Sequence, residues 1–218
     1  MMHSTLKAIS AFIFILVCSD TLASNLILFD KPLNEYKIKN YKGKNEINRL
    51  KTIDNEIIIT HKSDASASGL FFDINMNLRQ QGYRYLNFEW KVEKFKNIDE
   101  THKKFHDFPA RVYLTYRNGM MPWNKYFINY VYSNTNLKNT HWKSPYNNLF
   151  TKSHDVALNG YHDPSFYWIK HKIDLRNDIQ KFWNIDIEHL ESIALMVDTD
   201  NTQTKTITAF KNIYLSKN

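Results

Sequence analysis

Residues 106–116, HDFPARVYLTY, limit the possible folds more than any other stretch of the chain. Polar and apolar side chains alternate along them. From Ala110 onward every second side chain is apolar, whereas Arg111, Tyr113 and Thr115 lie between them. Successive side chains of a strand point to opposite faces of a sheet. The pattern therefore predicts a strand with one face in a core. We interpret its other face as part of a polar ligand-binding surface.

Residues 85–95 alternate in the same way, with apolar side chains at every second position from Leu86 to Val92. Short runs of similar character recur along the chain and are separated by glycine, proline, asparagine and serine, which is typical of strands joined by turns. The predicted strands lie within residues 25–41, 53–60, 70–74, 85–95, 111–116, 126–133, 166–173, 193–197 and 207–215. This pattern predicts an all-β fold, a single antiparallel β-sandwich of the jelly-roll type.

One short helix is predicted over residues 174–182, because Asp174 is a favourable N-cap and Leu175, Ile179 and Phe182 then form an apolar stripe. Residues 61–69 are predicted to be a loop or a bend. Residues 134–163 are irregular, so we expect a long loop that borders a site.

The first 23 residues resemble a secretory signal peptide. Lys7 precedes the apolar residues 8–17, and small residues ending at Ala23 form the expected cleavage site. A retained N-terminal anchor is the alternative. The single cysteine, Cys18, lies in this segment, and Val17 before it disfavours lipidation. We therefore predict a bacterial periplasmic or secreted protein with one domain over residues 24–218 and no membrane span after cleavage.

The net charge of +7 would suit an anionic partner, but the basic residues are scattered along the chain. A nucleic-acid interface requires basic residues on one face, so we expect no nucleic-acid partner. Aromatic residues make up 15% of the chain, a composition that suits contact with sugar rings. These observations favour carbohydrate, including acidic glycans, as the partner; a protein partner stays undefined.

Polar side chains on the predicted strands are the candidate ligand-binding residues. An arginine and a tyrosine on one face can hold sugar hydroxyls or a carboxylate. The alternative is a structural ion pair of Arg111 with Glu89 or Asp107. The predicted ligand-binding residues are Glu89, Asp107, Arg111, Tyr113, Asn129 and Trp142.

The segment DTDNT, residues 198–202, is a candidate metal site. Asp198 and Asp200 place two carboxylates at alternate positions, as calcium-binding loops do. The alternative is a turn in which Asp and Asn side chains bind backbone amides. A structural calcium is the only cofactor that the sequence suggests.

No complete catalytic motif is present in the sequence, and binding without catalysis is therefore the favoured interpretation. A lyase could use Arg111 to neutralise a uronate and Tyr113 or a histidine as the base. A glycoside hydrolase would need two carboxylates, for which Glu89 and Asp107 are nominal candidates. A structural envelope protein is the third alternative.

Five segments together resemble a family of exported bacterial domains of unknown function, DUF3047. The segments are SDASASGL at 63–70, FEWKVE at 88–93, DFPARVYLTY at 107–116, INYVYS at 128–133 and DTDNT at 198–202. The resemblance implies a β-sandwich similar to galactose-binding-like and concanavalin-like carbohydrate-binding domains, with no assigned activity. Tyr132 stands where the family usually has tryptophan, and His106 where it has a second acidic residue, which weakens any role for paired carboxylates there.

Overall fold

The computed structural model describes residues 25–119, 121, 123–186 and 189–218, which form thirteen strands in two sheets. The predicted signal peptide and Cys18 lie outside these residues. No helix within the described ranges is long and apolar enough to cross a membrane. The two sheets pack as a jelly-roll β-sandwich, which confirms the predicted fold class.

The first sheet, called the back sheet below, contains six strands. They are β1 (Leu26–Ile27), β3 (Glu46–Lys51), β4 (Ile57–Asp64), β6 (Tyr85–Val92), β11 (Trp168–Asp174) and β13 (Lys205–Ser216). Their spatial order is β11, β6, β13, β4, β3, and β1 pairs with β13. All these pairs are antiparallel.

The second sheet, the front sheet, contains seven strands. They are β2 (Lys37–Lys42), β5 (Ala67–Asn77), β7 (Arg111–Arg117), β8 (Lys125–Tyr132), β9 (His141–Lys143), β10 (Thr151–Asn159) and β12 (His189–Asp198). Their order is β2, β5, β12, β7, β8, β10, β9. The pairs are antiparallel except for β8 and β10, which run parallel.

The core lies between the sheets and follows the predicted alternation. Phe88 and Trp90 of β6 are almost fully buried, and so are Leu114 and Tyr116 of β7. The Trp90 indole Nε1 donates a hydrogen bond to Asn159 Oδ1 at 2.8 Å, so its polar atom is satisfied inside the core. Arg111, Tyr113 and Thr115 point to the other side of β7, which we call the outer face of the front sheet.

The predicted helix forms as α2 (Leu175–Trp183). The carboxylate of Asp174 accepts a hydrogen bond from the backbone N–H of Asn177 at 3.2 Å, as an N-cap does. Leu175 and Ile179 are buried against the sandwich. A single turn of helix, α1 (Leu78–Gln81), and two 3₁₀ turns, Leu33–Glu35 and Lys103–Phe105, were not predicted.

Two predicted loops were wrong in part. Residues 61–69 are mostly strand, because the hydroxyls of Ser63, Ser66 and Ser68 are buried and hydrogen-bonded rather than solvated. Residues 134–163 contain β9 and β10. The sequence of β10, TKSHDVALN, looks irregular because it buries polar side chains on one face and apolar ones on the other.

Candidate functional site

A cavity of about 320 Å³ lies on the outer face of the front sheet, and β7, β8 and β12 form its floor. Tyr113 is paired with Asn129 of β8, and Arg111 is paired with Met196 of β12. Paired residues of neighbouring strands share a face, so the strand register brings these side chains together. We call this space the Arg111 cavity.

Arg111 lies at the floor of the cavity and is only 6% exposed. Its Nη2 donates a hydrogen bond to Asp198 Oδ2 at 2.7 Å, and its guanidinium lies 4.9 Å from the centre of the Phe108 ring. Its Nε is buried without a hydrogen-bond partner. Arg111 therefore forms an ion pair with Asp198. The alternative, in which its partner was Glu89 or Asp107, was wrong about the partner.

Burial raises the pKa of the Asp198 carboxyl to about 7, although the Arg111 guanidinium acts in the opposite direction. The neighbouring Asp107 contributes to the rise, because it places a second negative charge nearby. The pKa of Asp200 at the cavity wall is raised for the same two reasons, burial first and Asp107 second. Each acidic side chain of the lining has a basic partner, since Asp198 pairs with Arg111 and Asp200 Oδ2 lies 3.9 Å from Lys42 Nζ.

A buried network joins β8, β10 and the loop before β7. Asn129 Nδ2 donates to Asp155 Oδ1 at 2.6 Å, and His106 Nε2 lies 2.8 Å from Asp155 Oδ2. Burial lowers the pKa of His106 despite the neighbouring carboxylate, so the imidazole is neutral and Nε2–H is the donor. The oxygen of the same amide, Asn129 Oδ1, is buried without a hydrogen-bond partner.

This network does not form a nucleophilic triad. Ser144 Oγ lies 3.5 Å from His106 Nε2, the same nitrogen that contacts Asp155. In a triad the serine and the carboxylate contact opposite nitrogens of the imidazole. The His106 ring therefore positions Asp155 and cannot relay a proton between Ser144 and Asp155.

The DTDNT segment forms a turn that Asp107 closes. Asp107 Oδ2 accepts hydrogen bonds from the backbone N–H of Thr202 at 2.6 Å and from its hydroxyl at 2.8 Å, and Oδ1 accepts from Asn201 at 3.0 Å. Since Asp198 is paired with Arg111, a guanidinium occupies the position that a calcium ion would need. Across the described residues, no three His, Cys, Asp or Glu side chains form a metal-binding group. The donor set does not fit calcium, and the geometry favours the turn alternative.

Aromatic side chains form the walls of the cavity. Tyr41 from β2 and Tyr146 from the loop after β9 are 50% and 44% exposed, and they come from opposite edges of the front sheet. The rings of Tyr113 and Phe127 stack on the floor with their centres 5.5 Å apart. The cavity therefore combines exposed aromatic faces with buried polar groups.

A second cavity, of about 460 Å³, continues along the outer face toward the other end of β7. Tyr41, Tyr113 and Phe127 line both cavities, so the two form one groove. From Arg111 to Thr115 the groove follows four residue steps along β7, which corresponds to about 14 Å. We call the two cavities together the groove.

The structure brings most of the predicted site residues together. Arg111, Tyr113, Asn129, Asp198 and Asp200 line the Arg111 cavity. Asp107 lies behind it and holds the DTDNT turn.

Two predicted residues lie elsewhere. Glu89 is on β6 of the back sheet, where it accepts a hydrogen bond from Asn212 at 2.9 Å. It cannot join the groove, because the core separates the two sheets. Trp142 of β9 packs against Phe108, Val131 and Ala157 beside the cavity and is not part of its lining.

Several site residues had no usable signal in the sequence. His106 and Asp155 are 49 positions apart, and only the parallel pairing of β10 with β8 places them side by side. Tyr41 follows a run of lysines and resembles a solvated edge. Tyr146, by contrast, lies in the region that was expected to border a site.

A family model described as "Protein of unknown function (DUF3047)" matches residues 31–214. The chain belongs to the DUF3047 family. The resemblance inferred from the five segments is thus confirmed. No curated protein matches this DUF3047 chain.

Two solved structures are similar to this DUF3047 protein at low identity. The family 11 carbohydrate-binding module of the cellulase Lic26A-Cel5E from Clostridium thermocellum is 11% identical, with a TM-score of 0.46 over 89% of this chain and 95% of the module. The xyloglucanase domain of NopAA from Sinorhizobium fredii, in complex with cellobiose, is 11% identical, with a TM-score of 0.47 over 85% of this chain and 99% of the domain. At these values the matches carry no information about ligand or activity.

Proposed function

We propose that this protein is an exported carbohydrate-binding protein that holds an uncharged sugar chain in the groove without chemical turnover. The observation that carries the proposal is the composition of the Arg111 cavity. Tyr41 and Tyr146 present exposed rings on either side of a floor in which Arg111 Nε and Asn129 Oδ1 have no hydrogen-bond partner. Aromatic faces stack on sugar rings, and an unpaired buried donor and acceptor favour a ligand with hydroxyl groups.

The charge of the cavity favours an uncharged ligand over an acidic one. Arg111 is already paired with Asp198, and Lys42 is paired with Asp200, which also lines the space. A uronate would have to displace Asp198 or lie beside further carboxylates, which costs free energy in a buried site. Hydroxyl groups carry no such cost, and they can both donate and accept.

The structure gives less support to the enzymatic alternatives than to binding. Tyr113 would be a poor base for a lyase, because burial raises its pKa far above its ordinary value. A hydrolase using Glu89 and Asp107 would need both across one cleft, whereas Glu89 is on the opposite sheet and Asp107 is fully buried. Binding without turnover is consistent with the side chains that do line the cavity.

Export remains part of the proposal and depends on the signal-like residues 1–23. A fusion of these residues to a reporter that is active only outside the cytoplasm tests it. Periplasmic or extracellular activity supports export; activity retained in the cytoplasm contradicts it.

The binding proposal is tested with the chain from residue 24 on a glycan array that includes neutral plant, algal and bacterial polysaccharides. Tyr146→Ala should lower the affinity for the best neutral ligand by about tenfold, because one stacked ring is worth about 1–1.5 kcal/mol. Tyr167→Ala removes a ring that is 66% exposed outside the groove, and it serves as the matched control. Equal losses in both variants, or no neutral ligand at all, would refute the proposal and favour a protein partner.

Product analysis on the same glycan distinguishes binding from turnover. Chromatography of the glycan after long incubation with the protein should show no change in chain length. Cleavage that disappears in Asp198→Asn would establish an enzyme instead.

A further inference from the structure

A separate cavity, of about 400 Å³, lies between β10 and helix α2. Side chains alternate along β10, so Ser153 faces the groove whereas Lys152 and His154 face this cavity. We call it the β10–α2 cavity. It is distinct from the groove, because the two lie on opposite faces of the same strand.

Aromatic rings that hold one another in place form the walls of this cavity. The His154 ring stacks on Phe182 with centres 4.7 Å apart and planes 8° apart. The Trp183 ring meets Tyr126 edge to face at 5.0 Å. Rings fixed in this way offer an apolar surface to a flat or ring-shaped ligand without a large entropic cost.

The charged groups of the cavity are both cationic. Lys143 and Lys152 line it, and neither forms an ion pair with a described residue. Lys152 Nζ instead contacts the hydroxyl of Tyr126 at 3.0 Å. No carboxylate of the described ranges lines the cavity. The groove, by contrast, is lined by both basic and acidic side chains.

His154 provides an independent indication of a ligand. Its side chain is only 7% exposed, and its Nδ1 is buried without a hydrogen-bond partner. A buried nitrogen without a partner costs free energy unless another group satisfies it. The nitrogen belongs to a ring that lines the cavity between the two lysines and the aromatic walls.

We propose that the β10–α2 cavity binds an anionic sugar unit, with Lys143 and Lys152 pairing with its carboxylate or sulfate and the aromatic rings contacting its ring. This second site goes beyond the proposed function, which concerns an uncharged chain in the groove. It also gives a role to part of the basic excess of the protein, whose net charge is +7. One strand, β10, then contributes to two sites of different charge preference.

The test is calorimetric titration of the chain from residue 24 with two probes, an oligogalacturonate for the carboxylate and a heparin oligosaccharide for the sulfate. At least one should bind, and the stronger one identifies the anion. The variant Lys143→Gln/Lys152→Gln should weaken binding by about tenfold, because two charge-assisted contacts are lost. The control Lys62→Gln/Lys170→Gln removes the same charge from two exposed lysines of the back sheet and should retain the affinity.

Two further variants locate the site. His154→Phe keeps a ring beside Phe182 but removes the nitrogen, and it should weaken binding severalfold while circular dichroism shows an unchanged fold. Tyr146→Ala alters only the groove and should leave this binding unchanged. The proposal is overturned if neither probe binds, if both double variants weaken binding equally, or if Tyr146→Ala removes it.

Discussion

The raised pKa of Asp198 makes the stability of the folded protein depend on pH. Its carboxyl titrates near pH 7 in the folded protein, against an ordinary value of 3.8. Between these pH values the folded state holds a proton that the unfolded chain has released. The contribution of Asp198 to stability is therefore fully present below about pH 4 and is lost as the pH rises toward 7.

The loss amounts to about 1.4 kcal/mol per pH unit, or about 4 kcal/mol across the whole interval. The substitution Asp198→Asn removes the titration and keeps an oxygen that can accept from Arg111. The free energy of unfolding of the native chain minus that of Asp198→Asn should therefore decrease steadily from pH 4.5 to pH 7.

Urea unfolding, followed by the tryptophan fluorescence of both proteins at each pH, measures this difference. The exposed Asp73→Asn controls for the change of one charge. If the difference stays flat or increases with pH, the reasoning is refuted. Asp198 would then be ionised throughout and stabilised by Arg111 more strongly than burial opposes it.

Two further predictions concern the carboxylates around the groove. Asp155→Ala leaves the buried amide of Asn129 without the carboxylate that accepts its hydrogen bond at 2.6 Å. The free energy of unfolding, measured by urea titration, should fall by about 3 kcal/mol. A fall of less than about 1 kcal/mol would contradict the importance of this network. Asp107→Ala removes both hydrogen bonds to Thr202. Hydrogen exchange of the DTDNT amides should therefore accelerate, while the amides of β6 keep their protection. Unchanged exchange in DTDNT would contradict the role of Asp107.

The fold could be predicted where a strand separates apolar from polar side chains. In β7 one face enters the core and the other lines the groove, so its alternation predicted both the strand and its polar outer face. The N-cap Asp174 and the apolar stripe after it identified α2 for the same reason, because local chemistry and packing agree. The prediction failed in β10, which buries Ser153 and Asp155 through hydrogen bonds and therefore lacks an apolar pattern on that face.

The site was predicted only in part, because the local sequence of a strand does not determine which other strands it pairs with. Glu89 and Arg111 lie on strands with similar alternation, yet these strands belong to different sheets. His106 and Asp155 meet only through the parallel arrangement of β8 and β10, which a sequence of antiparallel hairpins does not suggest. The charge at the floor of the groove also depends on Asp198, whose contact with Arg111 spans 87 positions.

The central claim is that an uncharged sugar chain binds on the outer face of the front sheet. The most direct test is a titration of the isotope-labelled chain from residue 24 with the best neutral oligosaccharide, followed by amide chemical shifts. We expect the largest changes of amide chemical shift in β7, β8 and the DTDNT turn, with little change around Glu89 on the back sheet. Shifts concentrated on the back sheet, or none in the groove at saturating ligand, would contradict it.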